Sequence, residues 1–324
     1  MAGPIANARH VPLRTRRRRG PSPLLRTALA VALLVALAIV AVRVIGVTRA
    51  ASAITANLGS LGGLTPSLAA SQVPLSGLES GACISYPPTH GNSVRTVFLD
   101  AGHGGLDPGV VGAAGGHQVL EKDSALAVAT RLSTLLRADG YRVVMARTQD
   151  SSVIKLSASD SATGALTDDA EHRDLLARAA CANAAGASVL LSIHFNGFDD
   201  PSVGGTETFY DVARPFAAAN KQLAADLQSA LVAELGTSDR GVWTDDQLAA
   251  PTLTNAGSAY GHLIELGPTA SGWVDNPSQM PGALVEPLFV TNPADAQLAA
   301  DPAGQQRIAG ALASGLLKYL SAAG

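Results

Sequence analysis

The stretch TVFLDAGHGGLDPG, residues 96–109, decides the fold and points to the site. It opens with an apolar run, residues 97–99, that is typical of a buried strand. The chain then breaks into a glycine-rich loop that carries Asp100, His103 and Asp107. Glycine permits backbone conformations that a side chain forbids, so a ligand, metal ion or substrate can come close to the main chain. A strand that ends in such a loop indicates a functional site.

Two other interpretations of this stretch are open at this point. A glycine-rich loop after a strand can cradle a phosphate, but neither GxGxxG nor GKS or GKT occurs here. A tight turn with a solvated histidine is the second alternative. The rest of the sequence argues against both of these interpretations.

The first 53 residues have the layout of an export signal. Nine arginines and no acidic residue occur there, and an uncharged, largely apolar run covers residues 27–42. The A-x-A pattern at residues 51–53 suits cleavage, but the apolar part also approaches the roughly 20 residues that span a bilayer. A cleaved signal peptide and a retained membrane anchor are therefore both open. In either case the arginines mark the cytoplasmic side, and everything after about residue 50 is expected on the outer side of the membrane.

Charge and composition change after this segment. Nine of the 23 Lys and Arg residues lie in residues 1–53, which leaves 14 against 26 Asp and Glu in the exported part. The resulting charge of about −12 argues against a nucleic-acid partner. Residues 54–90 are predicted to be a linker, because Ser, Gly, Leu and Pro dominate its first part. Residues 91–324 are predicted to form a single well-packed domain.

The chain has only two cysteines, Cys83 and Cys181. An even number in an exported chain predicts one disulfide, which would tie the start of the domain to a helix. Two buried free thiols are the alternative. Zinc binding by these residues is disfavoured because CxxC spacing is absent.

Helical and strand-like patterns alternate through the domain. Apolar spacing predicts helices over 122–139, 169–184, 214–235 and 302–320, and strands over 141–146, 188–193 and 205–210. This order predicts an α/β fold with a mostly parallel central sheet and helices on both faces, preceded by the signal or anchor helix and the linker. Residues 151–168 and 237–282 are predicted to be loops.

Polar residues follow three predicted strands. His103, His194 and Glu286 each lie where a strand gives way to a loop, and such positions converge at the carboxyl edge of a parallel sheet. Imidazole and carboxylate groups are common zinc ligands, so this edge suits a zinc ion. Glu121, at a helix start, is a candidate third ligand. His117 and Asp107 are alternatives that spacing leaves open.

Five stretches resemble, in order, the zinc-dependent N-acetylmuramoyl-L-alanine amidases of the Amidase_3 family, which cut bacterial peptidoglycan. They are DAGHGGLDPGVVG, LEKD, ARAACANAAGASVLLSIHFN, GGTETFY and GALVEPLFVTNPADAQL, and the match runs from about residue 96 to residue 320. The resemblance implies one Zn²⁺ per chain with His103, Glu121 and His194 as ligands. It also implies a catalytic glutamate late in the domain.

Two glutamates compete for that catalytic position. Glu265 and Glu286 each end a short apolar run. The family's phrase continues with an aromatic residue, an asparagine, an acidic residue and a leucine, and Glu286 alone has this run behind it. Pro287 departs from the family, which usually has a glycine before the aromatic residue. The segment 237–281, with Trp243 and Trp273, is a second departure and is interpreted as a surface insertion or part of a substrate groove.

The resemblance implies hydrolysis of the amide bond between N-acetylmuramic acid and L-alanine by zinc-activated water, with Glu286 moving the proton. Peptidoglycan is the implied partner, and the N-terminal helix is a candidate membrane tether. A non-catalytic wall-binding or regulatory protein on the same scaffold and a zinc peptidase acting within the stem peptide are the alternatives. An activating protein partner is open as well.

Overall fold

The computed structural model describes residues 69–248 and 259–322. All of them belong to one compact unit that begins at Ser67. The predicted signal or anchor helix lies outside the described residues. Within them, no helix combines the length and the apolar character needed to cross a bilayer.

An eight-stranded mixed sheet forms the centre of the domain. Its strands, in chain order and with two hairpins outside the sheet, are β1 (Ser71–Gln72), β2 (Ala82–Tyr86), β3 (Thr96–Ala101), the hairpin β4 (Val111–Ala114) and β5 (His117–Leu120), β6 (Arg142–Arg147), the hairpin β7 (Ser161–Ala162) and β8 (Ala165–Leu166), β9 (Val189–Ile193), β10 (Thr206–Tyr210), β11 (Asp239–Thr244) and β12 (Gly282–Glu286). The order across the sheet is β1-β2-β6-β3-β9-β12-β10-β11. The four central strands β6, β3, β9 and β12 are parallel, while β2 and β10 join them antiparallel. The predicted mostly parallel α/β sheet is confirmed.

Within the described residues, the sheet is covered by the helices α1 (Glu121–Ala138), α2 (Asp168–Ala184), α3 (Ala217–Leu235), α4 (Pro293–Ala300) and α5 (Pro302–Ala322). Local signals set several of their ends. The Thr167 side chain caps α2 by accepting from the backbone N–H of Ala170. Asn292 caps α4 with Pro293 in the first turn, and α3 ends at Gly236 in a left-handed conformation.

Alternation along the central strands divides the core into two layers. Val97 and Leu99 of β3 pack into one cluster with apolar residues of α1, α3 and α5. Phe98, between them, packs on the opposite face with Cys181 and Ala182 of α2. This pattern follows from the period of two along a strand. Helices therefore lie on both faces, and they leave the carboxyl edge of the parallel strands for the site.

The structure corrects the prediction at the start of the domain. Residues 54–90 were expected to be a linker, but β1 and β2, within that range, belong to the central sheet. A disulfide joins Cys83 of β2 to Cys181 of α2. Such short strands carry no readable periodicity, and their order comes from the backbone pairing of β1 with β2 and of β2 with β6. The disulfide that the cysteine count predicted is confirmed. The edge strand β11 lies inside residues 237–282, which were predicted to be a loop. It was missed because it also carries no clear strand periodicity.

Candidate metal centre

Three side chains converge at the carboxyl edge of the sheet. His103 follows β3, and His194 follows β9; Ala101 and Ile193, at the ends of these parallel neighbours, pair directly. Glu121 is the first residue of α1. The Nε2 atom of His103 and the Nδ1 atom of His194 lie 3.1 Å apart, and they lie 3.0 and 2.9 Å from Oε1 of Glu121.

Glycines permit this close approach. A Cβ atom on Gly102 would lie 2.4 Å from the His194 ring, and one on Gly109 would lie 2.6 Å from Oε2 of Glu121. Both distances are too short for any side chain, so the loop needs glycine at these positions. The glycine-rich motif thus makes room for the side chains of the cluster itself.

Backbone donors fix the Glu121 carboxylate. Its Oε1 atom accepts from the N–H of Phe195, and its Oε2 atom accepts from the N–H of Val110. Burial would raise the pKa of Glu121, but His103 and His194 outweigh it and hold the pKa below its usual range. The group therefore stays ionised in a buried position.

The donor set fits a zinc ion. Nδ1 of His103 lies 2.7 Å from Oδ2 of Asp107, which fixes the tautomer and leaves the Nε2 lone pair facing Glu121 and His194. Three donor atoms at 2.9–3.1 Å from one another can share an ion that takes nitrogen and oxygen ligands at about 2.0–2.2 Å. Burial would lower the pKa of His103, but Glu121 and Asp107 raise it to about 10, so the centre favours positive charge.

The structure also separates the alternative ligands. His117 is exposed on β5 and does not join this cluster, which consists of His103, Glu121 and His194. Asp107 contacts the far nitrogen of His103 instead of facing the centre. Of the three candidates that spacing left open, Glu121 is the one that lies together with both histidines.

Glu286 ends β12, whose Val285 pairs with Ile193 of the parallel strand β9. It therefore lies at the same edge as His194. The residue is 9% exposed, and its Oε2 atom has no hydrogen-bond partner among the described residues. Burial, followed by the carboxylates of Glu121 and Glu207, raises the pKa of Glu286 well above its usual range. The side chain is thus a proton acceptor of raised affinity.

Glu265 lines the same cavity as Glu286 but has different neighbours. Burial and Asp100 raise the pKa of Glu265 well above its usual range, while Arg178 opposes them. Glu286 is instead influenced by Glu121 and His103 of the candidate metal centre. Of the two glutamates, Glu286 is electrostatically tied to the cluster.

Residues 97–318 match the family model of N-acetylmuramoyl-L-alanine amidase, Amidase_3. The chain belongs to this family. Its curated relatives include the amidase LytC of Bacillus subtilis, 32% identical over 225 residues that make up 69% of this chain and 35% of LytC. The germination-specific amidase of Bacillus subtilis is 29% identical over 72% of this chain and 82% of its own length. This chain thus spans about a third of LytC but most of the germination-specific enzyme.

A solved structure agrees with the family assignment. The CwlD amidase of Clostridioides difficile, in complex with the GerS lipoprotein, superposes with a TM-score of 0.56. It is 28% identical and covers 70% of this chain and 99% of its own. The Amidase_3 fold therefore extends over the described domain.

In this Amidase_3 member, a cavity of about 560 Å³ opens beside the cluster. Carboxylates are prominent in its walls, with Asp168 and Glu171 of α2 facing the same space as Glu265 and Glu286. Trp273 also lines it and stacks on His172 with ring centroids 3.7 Å apart. Trp243 is not among the lining residues, so the two tryptophans of segment 237–281 have different surroundings.

The sequence alone did not point to Arg178, a residue of α2 that holds the loop after β3 in place. This buried side chain donates to Asp100, to Asp174 and to the backbone carbonyls of Ala101 and His103. Asp100 and Asp174 raise the pKa of Arg178 against the effect of burial, so it stays charged. One signal for it was present in the sequence: Arg178 follows Asp174 by four residues, so the two side chains lie on the same face of the helix.

Proposed function

We propose that this chain is a peptidoglycan hydrolase that cleaves the amide bond between N-acetylmuramic acid and the L-alanine of the stem peptide. The observation that carries the proposal is the convergence of His103, Glu121 and His194 beside Glu286 in a chain of the Amidase_3 family. The cavity of about 560 Å³ next to them has a volume typical of ligand-binding pockets, and several carboxylates line it.

His103, Glu121 and His194 would hold one Zn²⁺. When bound, the ion would supply Lewis-acid chemistry, acidifying a water molecule and polarising the scissile carbonyl. Asp107 would keep the His103 ring in the ligating tautomer, and the backbone donors of Val110 and Phe195 would keep the Glu121 carboxylate in place.

Glu286 would move the proton. Its Oε2 atom, without a partner among the described residues, is available to accept the proton of the attacking water. The water oxygen adds to the carbonyl carbon, the carbon–nitrogen bond breaks, and the protonated Glu286 returns the proton to the L-alanine nitrogen. A raised pKa favours this role, because the carboxyl group holds the proton until the amine leaves.

The proposal also includes the place of action. The arginine-rich start and the apolar run in residues 1–53 support export, either as a cleaved signal or as a membrane tether. In both cases the catalytic domain would meet peptidoglycan on the outer side of the cytoplasmic membrane.

The test is digestion of purified peptidoglycan by the full-length chain, with and without a metal chelator, followed by mass analysis of the products. We expect intact stem peptides with a free L-alanine amine, released only without chelator. Fragments cut within the stem peptide would identify a peptidase instead. Binding without any release would identify a wall-binding protein.

A further inference from the structure

A second cluster of ligand-type side chains lies away from the first. Asp211 directly follows β10, Asp245 directly follows β11, and His262 lies in the segment that leads to β12. β10 and β11 are parallel, so the first two positions share an edge. β10 runs antiparallel to β12, with Glu207 opposite Glu286. The cluster therefore lies at the edge of the sheet opposite the candidate metal centre.

The geometry of this cluster resembles that of a ligand set. Nδ1 of His262 lies 2.8 Å from Oδ2 of Asp211 and 3.4 Å from Oδ1 of Asp245. The three ligand atoms all lie within 4.8 Å of one another. Both aspartate side chains are fully buried, and the His262 side chain is 21% exposed.

Each carboxylate is held by one oxygen and presents the other to the centre. Oδ1 of Asp211 accepts from the N–H of Ala213, and Oδ2 of Asp245 accepts from the N–H of Leu263. Oδ2 of Asp211 has no hydrogen-bond partner among the described residues, although Nδ1 of His262 is within contact distance. Nδ1 of His262 is hydrogen-bonded to Oδ1 of Asp245 instead, so within the described part of the chain Oδ2 of Asp211 is a buried oxygen that faces the cluster without a hydrogen bond.

Two buried carboxylates share one imidazole in this cluster. A protonated His262 could balance only one of the two buried carboxylates. Arg214 interacts electrostatically with Asp211, but its guanidinium donates its hydrogen bonds to the carbonyls of Gly267 and Ser278. A divalent cation would relieve this excess of negative charge.

We propose that Asp211, Asp245 and His262 form a second divalent-cation site, separate from the candidate catalytic centre. One imidazole nitrogen with two carboxylate oxygens suits Zn²⁺ or another first-row transition cation better than Ca²⁺, which takes oxygen ligands only. The site would join the ends of β10 and β11 to the segment that contains Leu263 and Glu265. Both of these residues line the cavity, so the ion would fix one wall of the substrate-binding space.

The test measures metal content, so its outcome does not depend on the proposed hydrolase activity. The untagged full-length chain carrying both His103→Ala and His194→Ala, which remove the first site, is equilibrated with Zn²⁺, desalted and assayed by elemental analysis. We expect about one zinc per chain. Adding Asp245→Asn should reduce the content to near zero. Adding Asp246→Asn, at the exposed neighbouring position, should leave it unchanged.

A thermal measurement covers the case in which a variant folds poorly. Zn²⁺ should raise the melting temperature of the His103→Ala, His194→Ala chain, and this rise should disappear with His262→Ala. A folded double variant that retains no zinc would overturn the proposal. The same holds for a melting temperature that Zn²⁺ raises equally with and without His262, since the binding would then lie elsewhere.

Discussion

Nδ1 of His103 and Oδ2 of Asp107 lie 2.7 Å apart, four residues along the same glycine-rich loop. The contact is possible because His103 adopts a left-handed backbone conformation, with φ of 61°, that turns the chain back on itself. Asp107 is fixed in turn, since its Oδ1 atom accepts from the N–H of Gly109. The loop therefore sets both the position and the tautomer of one candidate ligand.

The first prediction concerns this contact. Asp107→Asn keeps the shape of the side chain but removes its charge, so it should weaken zinc binding by about 10- to 100-fold. Competition against a chromophoric chelator measures the affinity. Asp123→Asn, at an exposed position two residues after Glu121, is the matched control and should bind zinc like the parent chain. Equal zinc affinities for all three chains would show that Asp107 does not support His103 as a zinc ligand.

The second prediction separates the two glutamates of the cavity. Glu286→Gln preserves size and should retain zinc while lowering release of stem peptides from peptidoglycan by at least about 10²-fold, because the proton acceptor is lost. Glu265→Gln should have a smaller effect, since that residue stands beside Asp100 and Arg178. Mass-resolved product release and elemental analysis of both variants give the two readouts. The reverse order of effects would move the catalytic role to Glu265.

The convergence of the site could be predicted because it depends on one rule of parallel sheets. His103, His194 and Glu286 each follow a strand, and β3, β9 and β12 are consecutive parallel neighbours, so their carboxyl ends meet. The third candidate ligand was harder to predict, because spacing alone does not distinguish Glu121 from His117. Only the fold shows that one begins α1 beside the histidines while the other is exposed on β5.

Other features depend on contacts between residues that are far apart in the chain. A single sequence does not show which of these residues meet. The Asp211 cluster requires β10 to run against β12 and beside β11, yet the region of β11 carries no clear strand pattern. The bracing by Arg178 requires α2 to pack beneath the loop of β3. Likewise, Ser71–Gln72 joins the sheet only through backbone pairing with β2.

The third prediction concerns stability. Arg178→Ala leaves Asp100 and Asp174 buried without their cation, so it should lower the free energy of unfolding by about 3–5 kcal/mol. Urea unfolding, followed by circular dichroism, measures the change. Arg307→Ala, which breaks an exposed pair with Glu234, should cost about 1 kcal/mol or less. A similar small loss in both variants would mean that Arg178 carries no more stability than a surface ion pair.

The last prediction is a pH dependence. Burial, and then the carboxylates of Asp107 and Asp168, raise the pKa of Glu171 to about 7 from 4.5, against the opposing effects of His103 and Arg178. A carboxyl group whose pKa is raised in the folded state favours folding when protonated, and it destabilises the fold progressively as pH rises from 4.5 to 7. Glu171→Gln cannot ionise, so its stability relative to the parent chain should increase over this range. After allowance for solvent screening of a half-buried group, we expect about 1 kcal/mol. Urea unfolding of both chains at pH 4.5 and pH 7.5 measures the difference in free energy of unfolding between the variant and the parent. Chelator is present throughout, so that metal binding does not contribute. An equal difference at the two pH values would show that the pKa of Glu171 is not raised.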